Sequence, residues 1–176
     1  MILYICRCSE GDAKFGATKL NKLLFYSDFL AYRQLGHAIT SQPYKRMRNG
    51  PVPRAIGSLL KQMRKGGEIA QSEHNYFGKR QIRTFALRDA DLSLFSAPEV
   101  ALVDSILREC WGTNATQISN LSHRFLGLQL ADDGETIPYE TALLALRPVT
   151  RDDLDQAAGI ADELAALAKD CAGDAK

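Results

Sequence analysis

Between Thr18 and Leu35 the chain contains a helix that is apolar around most of its circumference. Leu20, Leu23, Leu24, Leu30 and Ala31 form one stripe, and Phe25, Phe29 and Tyr32 form another beside it. An ordinary helix of a globular protein carries one apolar stripe and an opposite polar face. A helix with two stripes must be enclosed by neighbours on several sides, so the fold has to be built around this segment. Thr18 is the expected N-cap, and Gly36 closes the helix.

The rest of the chain reads as satellites of that helix. Ile2 to about Cys8 is a first short helix. His37–Asn49 is an irregular connector carrying Pro43. Gly50-Pro51-Val52-Pro53 is the expected start of a third helix, since proline at a first helical position loses no hydrogen bond. Val52, Ala55, Ile56, Leu59, Leu60 and Met63 would form its buried face, and Gly66-Gly67 its end. The period then changes: Glu68–Gln71 and Ile82–Leu87 read as two short strands joined by a long polar and aromatic tip, His74–Arg80. Ser96-Ala97-Pro98-Glu99 is a capping box, opening a helix that would bury Val100, Val103, Leu107, Cys110 and Trp111. A short helix from Ala115 to about Phe125 follows, capped by Thr113 or Asn114, with Ser119, Ser122 and His123 opposite Ile118, Leu121 and Phe125. Residues 127–136 are expected as an acidic loop, Pro138–Leu144 as a short helix, and the segment after Thr150 as a last helix with Leu154, Ala157, Ala161, Leu164 and Ala168 on one face. The expectation is a mainly α, single compact helical domain over residues 1–170 with one small β-hairpin, and a disordered tail at 171–176.

A length of 176 residues with 45% hydrophobic and 24% charged residues suits one globular domain with a full core. The apolar start Met1–Cys6 lacks a basic leader and a cleavage site, so it does not read as a signal peptide, and no run is long enough to span a membrane. Four scattered cysteines argue neither for a disulfide framework nor, through Cys6 and Cys8 alone, for a zinc site. Charge is asymmetric: residues 1–90 hold 16 Lys+Arg against 6 Asp+Glu, and residues 91–176 hold 6 against 15. The basic half can meet an anionic partner, or the two halves can face each other within one fold or pair between copies in a homo-oligomer.

No catalytic constellation stands out. The three histidines, His37, His74 and His123, have no ligand-spaced companions. There is no G-x-S-x-G elbow, phosphate loop or dinucleotide fingerprint. Asp132, Asp133 and Glu135 read as a solvated acidic run, and Ser122-His123 as a structural pair. The expectation is therefore a binding protein rather than an enzyme, with no cofactor or metal. Two segments could bind a partner. One is the connector, where Tyr44, Arg46, Arg48 and Asn49 combine residue types favoured at interface hot spots, with Tyr26, Asp28 and Tyr32 on the adjacent helix. The other is the hairpin tip, where Lys79, Arg80 and Arg83 flank aromatics. A wing of this kind could touch DNA, making a nucleic-acid-binding transcriptional regulator the alternative reading. That reading is disfavoured because the helix after it carries only Arg124 to contact phosphates.

The segment KLNKLLFYSDFLAY, with Leu20, Leu23 and Leu24 at its heart, is followed after the connector by Gly50-Pro51-Val52. A second landmark runs from Asn114-Ala115-Thr116 to Leu121-Ser122-His123. Together they resemble the Panacea domain of SocA-like antitoxins of bacterial and phage toxin–antitoxin systems, over about residues 1–145. The chain departs from the pattern at Phe25-Tyr26, where relatives often carry two tyrosines, and at Arg46–Asn49, where many carry Ala-Trp. The resemblance implies a cytoplasmic antitoxin without catalysis of its own. Such a protein neutralises a cognate toxin, encoded by an adjacent gene, through direct contact. In some relatives it acts as an adaptor delivering the toxin to a ClpXP-type protease.

Overall fold

In the computed structural model, residues 1–144 are described; the expected helix after Thr150 and the tail lie outside the described residues. Met1–Leu144 pack as one unit. Helix α1 (Ile2–Cys8) leads into α2 (Ala17–Leu35), followed by strands β1 (Tyr44–Lys45) and β2 (Val52–Pro53) and helix α3 (Ile56–Lys65). Strands β3 (Ile69–Tyr76) and β4 (Lys79–Ala86) precede α4 (Ala97–Cys110), α5 (Ala115–His123), α6 (Leu126–Leu130) and β5 (Thr136–Ile137). Single 3₁₀ turns occupy Leu92–Leu94 and Tyr139–Leu143. The architecture is mainly α with small antiparallel strands, and no described helix is long and apolar enough to cross a membrane.

Helix α2 is the axis of the unit. It packs against α1, α4, α5, β2, β4 and the Tyr139–Leu143 turn. Leu20, Leu23, Leu24, Phe25, Phe29 and Ala31 are all buried, so both predicted stripes are used. Burying one such large side chain contributes about 1.5–3 kcal/mol. The Phe25 ring meets Phe29, Tyr44 and Phe125, and Tyr139 lies over Phe29 and Tyr32. The N-cap is Gly16 rather than Thr18 and offers no side-chain acceptor. The end is as expected: Gly36 turns left-handed at φ +81° and its amide returns to the Tyr32 carbonyl.

The connector is not irregular throughout. Tyr44–Lys45 forms the middle strand of a three-stranded sheet ordered β2-β1-β5, antiparallel on both sides. The third helix also begins later than expected, at Ile56. The reason is the second proline: a residue before proline is driven extended, so Val52 continues as strand, and proline is tolerated on an edge strand, where its missing amide costs no ladder bond. Of the predicted buried face of α3 only Met63 is fully buried, while Leu59 remains 37% exposed.

The β3–β4 ladder pairs Ile69 with Ala86 through to Tyr76 with Lys79. The tip is therefore only Phe77-Gly78, at φ +48° and +74°, the backbone of a type I′ hairpin turn. The predicted long tip was an effect of solvation: beyond Ser72 most of the arm is exposed on both faces, so no apolar alternation marks it. Helix α4 begins with the expected Ser96–Glu99 capping box and buries Val103, Ile106, Leu107 and Cys110, but Trp111 is 53% exposed. Helix α5 is capped by Asn114, in a second capping box with Gln117. Residues 127–136 are not one loop. Leu126–Leu130 is helical because Leu128 anchors it in the core, and Thr136–Ile137 pairs with the connector.

Candidate partner-binding surface

The connector is held at both ends by buried polar groups of α2. At its start, Asp28 accepts hydrogen bonds from the Thr40 amide at 2.7 Å, the Thr40 hydroxyl and the Tyr44 hydroxyl at 2.7 Å. Asp28 and Tyr44 are 0% and 1% exposed. Burial pushes the Asp28 carboxyl above its ordinary pKa, against these hydrogen bonds, which favour the carboxylate. Both residues were expected at a partner contact. Their place is the interior, where they fix the path of the chain.

At the other end, the Lys22 ammonium, 1% exposed, donates to the Pro51 carbonyl at 3.2 Å. Burial lowers its pKa to about 8. Gly50 closes over this amine at φ +95°. A Cβ there would stand 2.6 Å from the Ser122 hydroxyl oxygen and 2.8 Å from the Lys22 nitrogen, so only glycine suits both the conformation and the space. Ser122 is 0% exposed and donates to the Ser119 carbonyl at 2.7 Å. Its expected place opposite Leu121 is reversed, since Leu121 is 48% exposed. His123 is exposed and diverges from Ser122. The sequence landmarks around Lys22, Gly50-Pro51-Val52 and Leu121-Ser122-His123 thus meet at one buried point.

A second buried pair was missed by sequence reasoning. Lys19 and Asp12 form an ion pair at 2.6 Å, and Lys19 also donates to the Thr113 carbonyl. Burial would raise the Asp12 carboxyl, but Lys19 and the amides of Lys14 and Gly112 outweigh it and hold the pKa below the ordinary value. The only signal in the sequence was a lysine inside an otherwise apolar helix.

What remains outside is the turn between β1 and β2. Met47, Arg48 and Asn49 are exposed, and the turn is closed by reciprocal backbone bonds between Met47 and Gly50. Arg46 is half-buried: its guanidinium donates to the Ala131 carbonyl, and its backbone pairs with Gly134 and Glu135. Tyr32 is half-buried and stacks on Tyr139 at 5.7 Å. Tyr26 is half-buried with its hydroxyl oxygen enclosed and unpaired among the described residues; burial pushes that phenol up from its ordinary pKa. Of the seven predicted contact residues, Arg48 and Asn49 are therefore fully offered to solvent.

A separate opening lies beside α3. A cleft of about 390 Å³ runs between α3 and the Ala90–Phe95 segment, lined mainly by apolar side chains that include Leu24, Ile56, Leu59, Met63 and Leu94. Leu94 is 75% exposed. Exposed apolar surface grouped in a cleft is characteristic of an interaction site. Among the described residues no group of three or more His, Cys, Asp or Glu side chains is placed to hold a metal. Cys6 is buried and Cys8 exposed, so they do not converge.

No curated protein and no solved structure matches the chain. A family model described as antitoxin SocA-like, Panacea domain, matches residues 20–126, a span that contains the buried meeting point of Lys22, Gly50 and Ser122 and covers more than half of the 176 residues; the chain belongs to that family.

Proposed function

We propose that this protein is a cytoplasmic antitoxin that neutralises a cognate toxin by direct protein–protein contact, without catalysis of its own. The observation that carries this reading is the family match over residues 20–126. The surface is compatible with it: an apolar cleft beside α3, and an exposed turn presenting Met47, Arg48 and Asn49. Arg48 and Asn49 would contribute to partner choice, with Tyr26, Tyr32 and Arg46 supporting the surface from beneath. The nucleic-acid reading has less to stand on, because α5 carries no Lys or Arg along Ala115–His123, and phosphate contacts need such residues.

Co-expression with the adjacent reading frame tests the proposal. The neighbour alone should arrest growth, and the pair should grow and co-purify. A harmless neighbour that never co-purifies would refute it. The adaptor variant makes a further demand, that the toxin disappears faster when the antitoxin is present and that deleting a ClpXP-type protease removes this effect.

A further inference from the structure

The β3–β4 arm stands beside the start of α2, and an open groove of about 580 Å³ lies between them. Lys14 lines one wall, Lys79 and Arg80 the other, with Tyr76 and Phe77 at the tip, and no carboxylate lines the groove. The first turns of α2 and α5 also border it. α2 brings no acidic residue and no side-chain cap to its first turn, which adds positive potential to that of the side chains.

Phe77 is the unusual element. It is 88% exposed and sits in the left-handed region at φ +48°, a position that turns of this type usually give to Asn, Asp or Gly. An exposed aromatic ring and a disfavoured backbone are both costs to the free protein, and such local costs concentrate at functional positions. The ring packs edge-on against Tyr76 at 4.8 Å, which fixes it as an anchor at the mouth of a cationic groove. Arg80 contacts Glu73 across the ladder at 2.8 Å. That pair is fully exposed, and exposed pairs are weak, so an incoming carboxylate can replace Glu73.

We infer that this groove docks an acidic, extended segment of the partner protein, with an aromatic or aliphatic residue of that segment resting on Phe77. This deepens the antitoxin reading and rests on it. The count of cations decides between a peptide and a nucleic acid. Proteins that make about 6–10 phosphate contacts bind nucleic acid in a steeply salt-dependent way, whereas the groove offers only Lys14, Lys79 and Arg80, the last held weakly by Glu73, because Lys19 on its wall is already paired with Asp12. Two or three carboxylates match that number, and aromatic and Arg side chains are the enriched anchors of protein interfaces.

The test uses the full chain and a fluorescein-labelled hexapeptide of alternating Glu and Asp around one Phe, followed by anisotropy. A Gln/Asn version of the peptide and a labelled oligo-dT serve as comparators. The acidic peptide should bind at least tenfold more tightly than either comparator. The double variant K79E/R80E, and separately K14E on the other wall, should each weaken binding at least tenfold. F77A should weaken it several-fold. Equal binding of the neutral peptide, tighter binding of the oligonucleotide, or unchanged binding by both charge-reversal variants overturns the proposal. With the adjacent toxin the two readings separate. If wild type and K79E/R80E neutralise and co-purify equally, the groove proposal falls and the antitoxin reading stands. If wild type does neither, the antitoxin reading falls, and the peptide measurement still decides the groove.

Discussion

Replacing Lys22 with Met should change how stability depends on pH in a way that can be worked from the structure. The Lys22 amine is 1% exposed, its one hydrogen bond goes to the Pro51 carbonyl, and no carboxylate among the described residues pairs with it. Burial brings its pKa in the fold to about 8, against 10.5 for an ordinary lysine. Between those two values the unfolded chain holds a proton that the native protein has released. Unfolding then takes up a proton, so this residue makes stability rise with pH across the window. Below about pH 8 both states are protonated and the cost of burying the cation is fully present. Each pH unit inside the window is worth about 1.4 kcal/mol, so the whole window is worth about 3 kcal/mol and the rise from pH 7 to 9.5 about 2 kcal/mol. K22M has no such group. At pH 7 it should be at least as stable as wild type, because a well-packed apolar side chain commonly equals or improves on a buried charge. Urea unfolding of both proteins, followed by circular dichroism from pH 7 to 9.5, gives the difference curve. The buried tyrosines and cysteines titrate in both proteins and cancel. Wild type should gain about 2 kcal/mol relative to K22M across that range. A flat difference would refute the view that Lys22 is buried with its charge uncompensated.

Three further substitutions probe the same framework by urea unfolding. Y44F removes one of the three donors to the buried Asp28 carboxylate and should cost about 1.5–3 kcal/mol; no change would mean that Asp28 is solvated. D12A leaves the Lys19 cation buried without its ion pair and should cost about 3–5 kcal/mol, and an unaltered midpoint would refute the burial of that pair. G50A adds a Cβ against Ser122 and Lys22 at positive φ and should cost about 1–3 kcal/mol from the backbone alone. R48E, by contrast, alters an exposed side chain. It should leave the unfolding midpoint within about 0.5 kcal/mol while weakening co-purification with the toxin, and intact co-purification would remove the turn from the interface.

Much of the scaffold was legible because long-range packing agreed with local pattern. Helix α2 carries two apolar stripes and both are buried; α4 carries a capping box and the box forms. The misreadings arose where one local rule competed with another. Pro51 alone invites a helix start, but Pro53 holds Val52 extended, and a strand forms instead. The hairpin arm lacks alternation because most of its outer half is exposed on both faces. The acidic stretch after Phe125 contains a leucine whose burial makes a helical turn. In the candidate site the difficulty was of another kind: residue types favoured at interfaces, such as Tyr44 and Asp28, are also the types used to satisfy a buried connector. Only the hydrogen bonds from Thr40 and Tyr44 to Asp28 distinguish the two uses.

That distinction changes where partner choice should be sought. Lys22, Gly50 and Ser122 come from three distant parts of the sequence and meet at one enclosed point, where the other two leave no room for a side chain at Gly50. A side chain at Gly50 would meet the Ser122 hydroxyl and the Lys22 amine at a positive φ, so the packing at this point answers to folding. The exposed positions carry no such constraint: Arg48, Asn49, Leu94 and Phe77 can change without disturbing that point. A family that keeps the first set and varies the second could hold one fold while meeting different toxins. Exchange of the Met47–Asn49 turn, the Leu92–Leu94 turn and the Phe77-Gly78 tip between two family members should therefore transfer toxin preference. Exchange of the residues around Gly50 should alter stability and leave preference where it was. Preference that followed the Gly50 region instead would refute this division.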